Sequence, residues 1–255
     1  MISFPLWRYI LMAVTRDRVI QLLIVMMLLG VSASIFLGST ATIEKHQFAV
    51  AAAATILRIL SVLGLVTFIC FFIRRAFDSR EIDYLLATPL TRHRLLFSIS
   101  AAFITVALIL SVVIALVILV LSRHLTQGWM IWSLSVFVEL SITCMIALFF
   151  SVALKSATVS VICSLGYYSL ARMMGAMIGI LSTKLEQGKT VHEAVSWITK
   201  TLSLVTPRFD LMAQSAWLVY GDGAGVQLWI LPAQFIVFCA LFFFCAAFDL
   251  RRSQF

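Results

Sequence analysis

The sequence predicts an all-α polytopic membrane protein: six transmembrane helices, an N-terminal interfacial helix, and short outer-surface helices between the fifth and sixth spans. Three observations predict it. Of 255 residues, 62% are hydrophobic and only 12% are charged, about half the charge of an ordinary soluble domain, which carries about 25%. Mean hydropathy is +1.08, and the apolar residues fall into runs of the length, about 20 residues, that crosses a hydrocarbon core. The basic residues, which give a net charge of +8, collect at the ends of those runs. That placement reads as membrane topology rather than as a nucleic-acid surface.

Taken in order, residues 1–18 form a cytoplasmic interfacial elbow. Positions 4–15 are apolar but studded with Trp7, Arg8 and Tyr9, and Arg16, Asp17 and Arg18 separate them from the first span. Such a segment lies in the interface rather than across it. A cleavable signal peptide is the rival reading, because Gly38-Ser39-Thr40-Ala41 is a run of small residues. The apolar stretch is too long for an ordinary signal core, which favours an uncleaved start. The spans fall at about 19–37, 54–73, 95–121, 131–154, 158–181 and 227–248. No internal repeat or low-complexity linker interrupts them, so residues 1–255 read as one membrane domain.

Lys and Arg set the orientation. With the N-terminus inside, eleven lie on the inner side, including Arg74, Arg75, Arg80, Arg92 and Arg94, against six spread over longer outer loops. The positive-inside bias then places both termini in the cytoplasm, and Trp129, Trp132 and Trp229 at the outer interface.

Two connections are long enough to have structure of their own. In the inner one, 74–94, Asp78 can cap a short helix, with Glu81 three residues on to close a capping box. Ile82, Leu85 and Leu86 make one apolar stripe, Pro89 ends the helix, and Thr91 can cap the next span. That stripe has no core of its own to enter, so it calls for a partner. In the outer connection, 182–226, Thr190 and Glu193 repeat the capping pattern, and Val191, Val195, Ile198, Leu202 and Val205 mark one helix face up to Pro207. A second apolar segment runs from Phe209 to Tyr220 and ends at Gly221-Asp222-Gly223. With Trp197, Trp217 and Tyr220, this hairpin is expected to rest on the outer membrane surface.

Bond-making chemistry finds little support. Gln187-Gly188-Lys189-Thr190 ends like a phosphate-binding loop, but Thr183 stands where the first glycine is required. The four histidines, His46, His93, His124 and His192, fall in separate loops without paired-ligand spacing, which argues against a metal or haem site. The five cysteines all lie inside apolar runs, as small core residues do. No nucleophile, base and orienting group come together at a recognisable spacing.

Charges inside the spans are sharper signals, because each costs about 2.5–3.5 kcal/mol on insertion scales at mid-membrane. Glu139 in the fourth span and Arg172 in the fifth both lie about 12–14 Å from the outer side at 1.5 Å per residue. They can pair, either as an ion pair that fixes packing or as part of a substrate path. Arg58 is four residues into its span and is expected to snorkel outward. Small residues recur every fourth position in two spans, at Gly30, Ser34 and Gly38 in the first and Ala171, Gly175 and Gly179 in the fifth. Such stripes permit close helix approach, within one subunit or at a dimer seam.

The inner loop carries a resemblance. Its REIDYLLATPLTRHRLL resembles the E-x-x-x-LL-x-x-P-x-x-R segment of ABC type-2 permeases, the membrane subunits of ABC exporters, and the layout of elbow, six spans, inner loop and outer helices is similar over nearly the whole chain. The resemblance implies a permease that binds no cofactor itself, with ATP and Mg held by a separate cytoplasmic ATPase subunit. That subunit would dock on Asp78, Glu81, Ile82, Leu85, Leu86, Pro89 and Arg92. It further implies a second permease subunit, identical or not, contacted through the first and fifth spans. This favours the seam reading of Gly30, Ser34, Gly38, Ala171, Gly175 and Gly179. ATP-driven closure of the ATPases would push the loop and rock the spans to release cargo outward. The setting would be a lipid bilayer, the bacterial inner membrane, with no nucleic-acid partner. A haem-export permease of cytochrome c maturation shares the six-span plan, but its outer loops are usually shorter than 182–226. A secondary transporter would show inverted repeats or helices broken near mid-membrane, and a membrane scaffold would lack an associated ATPase.

Overall fold

The computed structural model describes residues 4–40, 44–79, 92–183, 206–221 and 229–252. Among them the elements are α1 (Phe4–Arg16), α2 (Arg18–Thr40), α3 (Lys45–Asp78), α4 (Arg92–Ser122), α5 (Gln127–Ala153), α6 (Ala157–Thr183), a 3-10 turn at Phe209–Leu211, α7 (Ala216–Tyr220) and α8 (Ile230–Arg252), with no strand among the described residues. Six of these helices, α2 to α6 and α8, are long and apolar enough to cross a membrane.

Local chemistry sets the helix ends. Asp17 caps α2 by accepting the Val19 N–H at 2.8 Å, and Thr126 caps α5 by accepting the Trp129 N–H at 3.2 Å. The second span lengthens into α3, which starts at Lys45 rather than near Ala54 and runs to Asp78. Hydropathy stops at a charge, whereas helix propensity does not, and the alanine-rich stretch 49–54 propagates the helix outward. Asp78 is the last residue of α3, with its carboxylate 2.8 Å from Arg74 one turn back. Ser79 closes that turn with its N–H and hydroxyl on the Arg75 carbonyl. Asp78 therefore closes α3, where an arginine four residues earlier offers it a charged partner; the helix it was expected to cap lies outside the described residues. Glu81, Ile82, Leu85, Leu86, Pro89 and Thr91 lie outside the described residues, as does the Thr190–Glu193 helix with Trp197; Arg92 opens α4.

α5 is the axis of the bundle. Every residue from 138 to 148 is buried, as a helix enclosed on all sides requires, and α3, α4, α6 and α8 pack around it. Its membrane-crossing window is 72% buried, against 22% for α2 and 17% for α6. α1 packs on α4 and α2, burying Ile10 and Val14 while Arg8 and Tyr9 stay exposed. Its Trp7 indole N–H donates to the Thr105 hydroxyl at 3.2 Å, and Asp17 reaches Arg75 of α3 at 3.6 Å.

The small residues of α2 serve this packing. A Cβ on Gly30 would meet the Ile56 side chain at 2.8 Å, and one on Gly38 would meet the Cβ of Ala49 at 2.5 Å. Ser34 is fully buried between them, its hydroxyl turned back to the Gly30 carbonyl at 2.6 Å. The stripe is a seam between α2 and α3 of one chain, so Gly30, Ser34 and Gly38 have no free face to offer a second subunit.

Candidate functional site

Three helices deliver charge to one level of the bundle. Counted from the helix ends near Lys45, Gln127 and Thr183, Arg58 of α3, Glu139 of α5 and Arg172 of α6 lie about 16–20 Å along their axes at 1.5 Å per residue. Glu139 has no exposed surface and Arg58 is 7% exposed. The structure brings Arg172 and Glu139 to 3.6 Å, an ion pair too long for a good hydrogen bond. The hydrogen bond to the Glu139 carboxylate comes instead from the Tyr168 hydroxyl at 2.6 Å. Tyr168 precedes Arg172 by one helical turn, which sets both on one face of α6. Arg58 lies within electrostatic reach of the same phenol.

The fourth side of this centre is the outer connection itself. Residues 206–221 enter the bundle, where Phe209, Met212, Ala213 and Trp217 are buried. Carbonyl oxygens around a short 3-10 turn have few helical partners and take further donors, and the arginines supply them. Arg172 donates to the Phe209 carbonyl and, at 3.0 Å, to that of Met212. Arg58 donates to the Ala213 carbonyl at 2.7 Å. The Ala213 N–H is taken by the Ser135 hydroxyl of α5 at 3.0 Å, and Ala213 holds a left-handed φ of 48°, a conformation that a non-glycine residue adopts only under local constraint.

Glycines let the segment come this close. A Cβ on Gly128 would collide with the Trp217 carbonyl, and the Gly128 N–H donates to the Gly221 carbonyl at 3.2 Å. A Cβ on Gly175 would stand 2.5 Å from the Asp210 carboxylate, which Arg208 pairs at 2.9 Å. Ala171, one turn earlier, is fully buried. Ala171 and Gly175 thus face the outer segment of their own chain rather than a second subunit, while Gly179 lies further along α6.

These placements correct three sequence expectations. The segment from Phe209 to Tyr220 packs against the helices through Phe209, Met212, Ala213 and Trp217 instead of resting on the outer surface; Ala216 and Tyr220, the latter at 78% exposure, face out. Arg58 does not snorkel, because its guanidinium donates to a backbone carbonyl inside the bundle. Trp132 is fully buried rather than turned to the interface. Tyr168 and Ser135 are the members of the centre that the sequence did not single out; a tyrosine one turn from an arginine inside a span is the signal for the first, and no signal marks Ser135.

The arrangement is a clamp. Two guanidiniums and one carboxylate leave the centre cationic, and that charge is spent on backbone carbonyls of a segment that arrives from outside the bundle.

Fold and site together define a polytopic helical membrane protein with a charged centre locked onto the segment 206–221, which turns back into the bundle. The protein-family description "ABC-2 family transporter protein" matches residues 72–251, well over half of the chain, and the chain belongs to that family. Members of this family are the membrane component of ABC transporters and lack an ATP-binding domain of their own. The search of curated proteins gives no match.

Proposed function

We propose that the chain, as a single permease domain, is the membrane subunit of an ATP-driven exporter and works with a separate cytoplasmic ATPase that carries ATP and Mg. The observation that carries this reading is the family match, which begins at residue 72 and so takes in the loop 74–94 together with the four spans that follow. The basic residues at that loop orient it, with both termini, toward the cytoplasm. Asp78, Glu81, Ile82, Leu85, Leu86, Pro89 and Arg92 are the ATPase-docking residues on this reading. At the far end, the clamp on residues 206–221 would hold the outward path closed until the ATPases drive the helices apart.

A second permease subunit completes the transporter through α2 and α6, the two least buried spans. Since the Gly30 and Gly175 stripes face inward, the contact must use the opposite faces. On α6 that face carries Ile162, Gly166, Leu170 and Met173, with nothing within 4 Å of a Cβ placed on Gly166. On α2 it carries Leu22, Leu29 and Phe36.

The test is affinity purification of the tagged permease, followed by assay of vanadate-sensitive ATP turnover. An ATPase should co-purify, and Leu85→Asp with Leu86→Asp should abolish its association while membrane insertion persists. Co-purification and turnover unchanged by that double substitution would remove the docking assignment. Absence of any ATPase from the native complex would remove the exporter reading.

A further inference from the structure

A groove of about 520 Å³ runs between α2 and α4, floored by Leu57 of α3 and closed at one end by Leu11 and Val14 of α1. Its walls are Ile24, Leu28 and Val31 of α2 and Val106, Val113 and Val117 of α4, and Gln21 is the single polar residue among those lining it. It opens sideways, toward the bilayer: Leu28 is 65% exposed and Val113 46%.

Length and lining select the occupant. Each wall, 20–31 on α2 and 106–117 on α4, extends about 16 Å at 1.5 Å per residue. One leaflet of a hydrocarbon core about 30 Å thick is about 15 Å deep. An acyl chain of one leaflet's depth matches both that length and the almost wholly apolar walls.

Charge at the closed end selects the head group. The turn joining α1 to α2 supplies Arg16 and Arg18, both exposed. Arg18 is one helical turn from Gln21, on the same side of α2. Asp17, the acid between them, is already engaged by the Val19 N–H at 2.8 Å and by Arg75 at 3.6 Å. Neither Arg16 nor Arg18 has an ion pair among the described residues. Two guanidiniums without an ion pair among the described residues therefore stand where an acyl groove one leaflet deep begins.

We propose that this groove is a site for one anionic phospholipid, with an acyl chain between α2 and α4 and the phosphate on Arg16 and Arg18. The permease is reconstituted in nanodiscs of equal phosphatidylglycerol and phosphatidylcholine, partly delipidated, and the retained lipids are counted by native mass spectrometry. One phosphatidylglycerol per chain should remain, favoured over phosphatidylcholine by about thirtyfold, the scale of two basic side chains at an anionic surface. Arg16→Gln with Arg18→Gln should erase that preference. Val113→Trp should remove the retained lipid without lowering the melting temperature; if it fails to fold, Ile109→Phe narrows the same groove. Retention undiminished by the groove-filling variant would overturn the site, and a preference unchanged by the double arginine variant would overturn the head-group contact. A filled groove that splits a dimer while the lipid stays bound would assign the surface to a second copy and overturn the proposal.

Discussion

Neighbouring spans α4 and α5 have opposite fates. α4 is the most apolar of the six, yet only 33% of its membrane window is buried; α5 is less apolar and 72% buried. In water the order would be reversed. Between helices in lipid there is no hydrophobic drive to bury leucine, since the acyl chains are as apolar as the core. What must be enclosed is polarity. α5 carries Ser135, Glu139, Ser141 and Thr143, all buried, whereas the exposed face of α4 is Leu108, Val112, Leu116 and Val120. Between these two spans, enclosed polar side chains rather than hydropathy mark the one that becomes the axis.

If this is right, the largest effect comes from breaking the charge set around α5. Arg172→Leu leaves Glu139 buried without its cation, removes the Arg172 donor from the Met212 carbonyl and leaves the Phe209 carbonyl with only the Met212 N–H. It should cost about 3–5 kcal/mol, read as a lowered unfolding midpoint and yield in detergent. Glu139→Gln with Arg172→Leu should recover part of that loss, whereas a double variant no better than Arg172→Leu would show that the carbonyl bonds, not the ion pair, dominate.

Tyr168→Phe removes one hydrogen bond to a charged acceptor and should cost about 1.5–3 kcal/mol, checked by the same unfolding assay.

Gly175→Ala presses on Asp210, whose side chain can shift, so about 1–3 kcal/mol of overpacking is expected. The specific readout is loosening of the outer segment: maleimide should label a cysteine placed at Ser215 faster than in the Gly175 parent, both in a cysteine-free background. Unchanged labelling would mean that Asp210 accommodates the methyl group without moving the segment.

The smallest effect belongs to α4. Leu116→Ala, on a side chain 53% exposed to the bilayer, should stay within about 0.5 kcal/mol in the unfolding assay. A loss comparable to that of Tyr168→Phe would undo the comparison by showing that lipid-facing leucines carry as much stability as the centre.

Much of this was legible in the chain. The number of membrane-length helices follows from hydropathy, because no other structure satisfies the backbone of a 20-residue apolar run in lipid. The common depth of Glu139 and Arg172 follows from helical rise alone. Partner choice was not legible. The stripe of Gly30, Ser34 and Gly38 states that something approaches closely but not what, and both an adjoining helix and a second subunit satisfy it.

The sequence by itself determined the helical class, the apolar spans, the basic ends and the presence of charge at mid-depth, since each depends on local composition and fixed helix geometry. Only the tertiary structure decided that residues 206–221 turn into the bundle, that Arg58 caps a carbonyl there, and that α5 rather than the more apolar α4 is enclosed. An apolar segment anchored by Phe209 and Trp217 is equally at home in an interface or between helices. The difference is made by donors on three other helices, hundreds of atoms away along the chain, that satisfy its backbone in one place and not in the other.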